Sequence, residues 1–158
     1  MEVTGTAAAA LVWIDDLEPA VCWRLLTGPA VGRVCFTDDD GPMVLPVNYR
    51  VAPDDAIVFR TAWDTTLHGL AAGAAVAFEV DATNDPTQTG WSVVVRGTLT
   101  EIDAPADDDP LATLDVHPWA PGVRDRWMRI AASVVTGRAI SRRRSSVDGL
   151  LLPYMPPD

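Results

Sequence analysis

Apolar positions along this chain change their period once near the N-terminus and keep the new one for most of its length. Leu17, Val21 and Leu25 recur at helical spacing behind Asp15 and Asp16, with Pro19 early and Gly28 at the end. A capping acid, a first-turn proline and a terminal glycine predict a helix from Asp15 or Asp16 to about Thr27. From Gly32 the period shortens. Arg33 to Thr37 reads as a strand, Asp38 to Pro42 as a turn, and Met43 to Val51 as a second strand. Ala52 to Asp55 is the next turn and Ala56 to Thr61 a third strand, which makes a meander of antiparallel neighbours.

Asp64 is expected to cap a short Ala-rich helix ending near Gly73, followed by a strand over Ala75 to Asp81. Thr83 to Gly90, with Pro86, reads as a polar loop. Trp91 to Ile102 is expected to be the longest strand, with Gly97 marking a bulge or bend. Asp103 to Asp109 is an acidic loop, Pro110 to Asp115 a helical turn or two, and Pro118 to Gly122 irregular. Arg126 to Ala131 supplies a sixth strand, and beyond Ile140 the pattern dissolves into a polar, then proline-rich tail. Six short strands with few helices predict a mainly β fold with peripheral helices, a small antiparallel barrel. One domain suits 158 residues: an extension over 1–14, the barrel over 15–140 and a tail over 141–158.

Composition narrows the chemistry. The chain carries 12 basic and 22 acidic residues for a net charge of −10, and every basic residue is arginine. Without lysine there is no Schiff base, no Walker-type phosphate loop and no Ser–Lys catalysis. Such a bias points to a bacterial genome rich in G and C. The negative balance argues against nucleic acid as a partner, and Arg142-Arg143-Arg144 reads as a solvated tail segment. The apolar run Ala7 to Ile14 is far short of the ~20 residues of a membrane span and lacks the cationic start of a signal peptide. A cytoplasmic protein with Cys22 and Cys35 buried and reduced is expected.

Catalytic constellations are thin. His68 and His117 are too few and too far apart for a histidine zinc site, and no Gly-x-Ser-x-Gly elbow occurs. The aspartate clusters at 38–40 and 107–109 lack the spacing of a calcium loop and read as solvated turns. More informative is Val44-Leu45-Pro46-Val47-Asn48-Tyr49-Arg50, followed by Val58-Phe59-Arg60-Thr61 and Asp64-Thr65-Thr66-Leu67. Pro46 in mid-strand cannot donate to a ladder, so backbone groups around it are free for another partner. Arg60 with nearby hydroxyls and helical N–H groups makes an anion site, or else an arginine paired with one of the many aspartates.

The ordered series G-R-V-x-F-T-D, V-L-P-V-N-Y, V-F-R-T, A-F-E-V-D and G-W-S-V-V-V-R-G resembles the pyridoxamine 5′-phosphate oxidase-like proteins, the flavin-binding split barrels. The likeness continues through Pro118-Trp119-Ala120-Pro121-Gly122 and Val135-Thr136-Gly137-Arg138, and covers about residues 15 to 140. It implies a homodimeric, six-stranded split β-barrel with FMN at the subunit interface, acting as an oxidoreductase on a small molecule. Leu45, Pro46, Val47 and Asn48 would lie along the flavin ring. Phe59, Arg60, Thr61, Thr65 and Thr66 would hold the phosphate, and Trp91 would face the flavin from the long strand.

The chain departs from the family at Asp64-Thr65-Thr66-Leu67, where relatives carry Gly-x-Lys-Leu. Thr66 stands where the phosphate-binding lysine would be, and Asp64 adds a negative charge beside it. Losing one charge-assisted contact costs roughly 1.5–3 kcal/mol. Two alternatives follow: the same barrel with the deazaflavin F420 or haem, and a cofactor-free binding or dimerisation module. F420 carries a polyanionic tail, which suits a lysine-free chain at −10 poorly. Trp63, Trp119 and Trp127 are expected in the core or a dimer interface.

Overall fold

A computed structural model describes residues 11–143. Seven strands and two short helices follow one another as β1 (Leu11–Leu17), α1 (Pro19–Leu26), β2 (Val31–Asp38), β3 (Gly41–Val51), β4 (Ala56–Thr61), α2 (Thr66–Gly69), β5 (Ala72–Asn84), β6 (Thr89–Ile102) and β7 (Arg126–Arg143). A 3-10 turn lies at Pro110–Thr113. Hydrogen bonding runs β7-β4-β3-β2-β5-β6 and closes from β6 back to β7, so six antiparallel strands form a ring. That is the expected barrel. β1 is an addition, paired through Leu11–Leu17 with Gly137–Arg143 of β7. Strand pairing thus passes the expected 15–140 limits by a few residues at each end.

Several expectations need correction. Asp15 and Asp16 do not cap α1; they end β1, and Asp16 pairs with Arg138. The helix starts at Pro19 behind Glu18, and it buries Cys22 and Leu26, one position on from the expected Val21 and Leu25. Trp91–Ile102 is not in the longest strand, because β7 runs for 18 residues where only Arg126 to Ala131 was expected. Its later half is held by β6 and β1, both distant in sequence. Arg142 and Arg143 belong to β7, while Arg144 lies outside the described residues. The Thr83–Gly90 loop shrinks to a tight turn, since β5 and β6 reach Asn84 and Thr89.

The turns match their chemistry. Asp38 faces Gly41 across the β2–β3 hairpin, its carboxylate accepts the Asp40 N–H at 3.0 Å, and Gly41 takes φ 121°. Asp109 caps the 3-10 turn through the Leu111 N–H at 2.8 Å. Gly97 sits at the register shift between β6 and β7, as expected.

The ring encloses Val34, Phe36, Ile57, Phe59, Phe78, Val93, Leu99 and Met128, all buried. α1 closes one end, where the Tyr49 hydroxyl donates to the Leu26 carbonyl at 2.6 Å. Tyr49 also packs edge-on to Phe78, with centroids 4.7 Å apart. Burial pushes the Tyr49 phenol well above its ordinary pKa, so it stays a proton donor. β4 is buried on both faces. Ile57 and Phe59 point into the ring, while Ala56 and Val58 meet Ala52, Val116, Leu111 and Leu114 on the outside. That outer cover is the chain between β6 and β7, and its continuation brings Pro118 to Arg124 against the end of β4. Among the described residues no helix is long and apolar enough to cross a membrane.

Candidate functional site

The ring is joined unevenly. β3 pairs with β2 from Gly41 to Asn48, but with β4 only through Tyr49, Arg50 and Val51. From Met43 to Asn48 the side of β3 away from β2 therefore carries no ladder. Pro46 stands in that stretch, opposite Arg33, and contributes no N–H. The mid-strand proline marks an open edge, as the sequence implied.

Against this edge lies a cavity of about 200 Å³. Leu45, Pro46, Val47 and Asn48 form one wall, and Arg60, Thr61 and Thr65 another. Seven of the ten residues expected at the site are thus brought together. Three are not. Phe59 is fully buried in the barrel core, because it alternates inward between Val58 and Arg60. Thr66 is exposed at the start of α2 and does not line the cavity. Trp91 lines a separate cavity of about 620 Å³, with Ile14, Arg138, Ile140 and the turn between β5 and β6.

Arg60 closes β4 opposite Trp127 of β7, and its guanidinium carbon sits 5.5 Å from the centroid of that ring. Its Nε is buried with no hydrogen-bond partner. None of the ion pairs among the described residues involves Arg60, so it is not the aspartate-paired arginine that the sequence also allowed. A buried donor without an acceptor is costly unless something outside the chain supplies one.

The hydroxyls behave differently. Thr65 Oγ1 donates to the Ala62 carbonyl at 2.9 Å and accepts the His68 N–H at 3.3 Å. Its remaining lone pair meets Thr61 Oγ1 at 2.8 Å, so the Thr61 proton is directed to Thr65. Both protons are committed inside the chain, and each hydroxyl meets an anion only by giving up one of these bonds. Thr65, not Asp64, is the cap of α2. At four residues α2 is too short to act as a helix dipole. The cation at this cavity is therefore arginine chemistry rather than helix-terminus chemistry.

Asn48 is occupied structurally. Its amide nitrogen donates to the Ala30 carbonyl at 3.2 Å, and its carbonyl accepts the Trp119 N–H at 2.8 Å. It pins the loop before β7 over the site, so Pro118, Ala120 and Arg124 complete the lining. The sequence presents Pro118 to Gly122 only as an irregular stretch within the family likeness and does not single out Arg124, because the contact depends on a partner some seventy positions earlier. Trp119, between the lining residues Pro118 and Ala120, and Trp63, between Thr61 and Thr65 in the chain, are 70% and 68% exposed, so neither is a core residue of the single chain.

Among the described residues no acid–base cluster joins the cavity. His68 Nε2 lies 3.1 Å from Glu101, which also meets Arg126, and none of the three lines the site. No group of side chains that could hold a metal occurs among the described residues. Cys22 is buried as expected but Cys35 is only partly so, and desolvation raises the pKa of both thiols, which makes them poor nucleophiles. The arrangement can bind: it offers an anion-seeking arginine beside an unpaired strand edge with apolar side chains.

Comparison with known proteins agrees with the fold. A family model described as pyridoxamine 5′-phosphate oxidase matches residues 18–139. An uncharacterized protein of Mycobacterium tuberculosis, Rv0080, is 34% identical over 129 residues, covering 78% of this chain and 84% of that protein. The structure of a FAD-binding protein from Mycobacterium smegmatis aligns with a TM-score of 0.63 at 29% identity, over 80% of this chain and 98% of that one. A FAD-binding protein from Mesorhizobium loti, at 23% identity, shares the fold with a TM-score of 0.66, over 82% and 98% of the two chains.

Proposed function

The chain belongs to the pyridoxamine 5′-phosphate oxidase family, and we propose that it binds FMN and works as a flavin-dependent oxidoreductase on a small molecule. The observation that carries this reading is the unpaired, buried Nε of Arg60 at a cavity whose facing wall is the open edge of β3. A terminal phosphate satisfies the first, and a planar heterocycle with hydrogen-bonding edges suits the second. The FAD-binding character of the Mycobacterium smegmatis protein supports a flavin in this chain. Bound there, the flavin supplies the redox chemistry. The chain's own residues then bind and orient: Arg60 holds the anion, backbone groups along Leu45 to Val47 meet the ring edge, and the apolar wall keeps water away from it. The absence of an acid–base cluster at the cavity fits that division of labour.

One chain encloses too little space for the whole ligand, since small-molecule sites commonly occupy about 300–1,000 Å³ and this cavity holds about 200 Å³. The reading therefore includes a homodimer in which a second copy completes the site and covers Trp63 and Trp119. A reducing bacterial cytoplasm suits the two free thiols. The visible spectrum of the purified protein, followed by titration with FMN and FAD, tests the cofactor. Flavin absorption bands, or saturable quenching of FMN fluorescence, are expected. A colourless protein whose melting temperature ignores both flavins would overturn the reading. Analytical ultracentrifugation tests the dimer, and a monomer at all concentrations would remove it.

A further inference from the structure

Arg60 is not the only cation at the cavity. Arg124, from the loop before β7, lines the same space. Its Nε donates to the Ala120 carbonyl at 3.4 Å, and no ion pair among the described residues involves it. Acids are plentiful, at 22 against 12 arginines, and other arginines find them. Arg33 meets Glu79 and Asp81, Arg126 meets Glu101, Arg129 meets Asp54 and Arg138 meets Asp16. Among the described residues Arg24, Arg50, Arg96 and Arg142 make no ion pair either, so what sets Arg60 and Arg124 apart is that both face one cavity and neither has a counterion there. Arg60 stands on β4, and the loop that carries Arg124 is tied to β3 through the Trp119 N–H, which donates to Asn48.

We propose that Arg124 is the second cation of a two-arginine phosphate cradle and makes the site select phosphorylated flavins over riboflavin. Two unneutralised guanidinium groups at one cavity repel each other, and a single anion between them removes that repulsion. A phosphate monoester suits them, with about −1.5 to −2 charge near neutral pH and three acceptor oxygens for forked donors. The charge that Thr66 lacks is in this way supplied by a residue almost sixty positions later. This inference rests on the flavin reading for the identity of the ligand, but the cradle itself can be tested without a flavin.

The experiment compares the wild type with Arg124→Gln and Arg124→Lys, using Arg96→Gln, an exposed arginine on β6, as control. Two probes are used: thermal stabilisation by inorganic phosphate alone, and fluorescence titration with FMN and with riboflavin. Phosphate is expected to stabilise the wild type and the Arg96→Gln control but not Arg124→Gln. FMN affinity should fall about 10- to 100-fold in Arg124→Gln while riboflavin affinity stays put, and Arg124→Lys should recover part of the loss. If the wild type binds FMN and Arg124→Gln binds it equally well, the cradle is wrong and the flavin reading survives. If phosphate stabilises the wild type but not Arg124→Gln while no flavin binds, the cradle stands and the flavin reading falls. A wild type indifferent to phosphate overturns the cradle. Should Arg124→Gln not fold, Arg124→Lys carries the test, because a planar fork lost with the charge kept must still weaken FMN more than riboflavin.

Discussion

β6 and β3 are both long strands of one ring, yet they are treated in opposite ways. β6 is paired on both sides for most of its length, with β5 from Thr89 to Thr100 and with β7 from Gly90 to Ile102. Its inward residues Val93, Val95 and Leu99 are fully buried. β3 keeps one partner from Gly41 to Asn48 and gains a second for only three residues. Where both ladders are complete, side chains serve the core. Where one is missing, backbone groups and a neighbouring arginine are left for something outside the chain. On the proposed function, stability and binding then belong to different seams of the same barrel.

Mutations that respect this division should separate the two properties. The largest effect belongs to the sealed side. Phe78 of β5 is fully buried and its ring lies where a Cβ on Gly32 would stand, 2.1 Å away, so ring and glycine fit only each other. Phe78→Ala should cost about 3–5 kcal/mol of folding stability by chemical denaturation. The folded fraction should keep its flavin affinity.

Next in size is Arg60→Ala on the open side, expected to weaken FMN by about 1.5–3 kcal/mol in a fluorescence titration. Its melting temperature should hardly change, since only the stacking on Trp127 is lost from the fold. A large drop in stability with affinity intact would show that the two seams are not separate in function.

A smaller effect probes the boundary between them. Thr61→Val removes the bond to Thr65 but leaves the Thr65 cap on His68 in place. It should cost about 0.5–1.5 kcal/mol in stability. If FMN affinity falls tenfold as well, the Thr61 hydroxyl turns from Thr65 to the ligand when the site is filled.

The smallest effect belongs to the turn between β3 and β4. The Arg129 guanidinium holds the Asp54 carboxyl below its ordinary value of 3.8. A lowered folded pKa means the stabilisation is present above about pH 4 and lost as acid takes the pH through the folded value. Because Asp54 is 62% exposed, solvent screens the pair to about 1 kcal/mol or less. Asp54→Asn should flatten the acid limb of the stability profile by that amount and leave flavin binding alone.

Much of the ring was legible from residues alone because its signals are local. β4 runs from Ala56 to Thr61 as the β-branched run between turn residues predicts. The bulge at Gly97 and the turn at Asp39-Asp40 follow from glycine and aspartate chemistry. Helix caps were legible only to within a few residues, since Asp64 and Thr65 are both good caps and the bond to the His68 N–H chooses between them. β1 was hidden because nothing within Leu11–Leu17 distinguishes it from an apolar lead into a helix. It becomes a strand by pairing with residues more than a hundred positions away.

The site divides in the same way. The sequence by itself determined the open edge, through Pro46, and the arginine at the end of β4, since one depends on a missing N–H and the other on a position next to a turn. Only the tertiary structure decided which groups are spent and which remain. It buries Phe59, turns Thr66 to solvent, commits the threonine protons to each other and to Ala62, and leaves Arg60 and Arg124 without counterions at one cavity. Strand alternation and hydrogen-bond formation are settled by partners distant in the chain, and charge is felt through space rather than along the sequence.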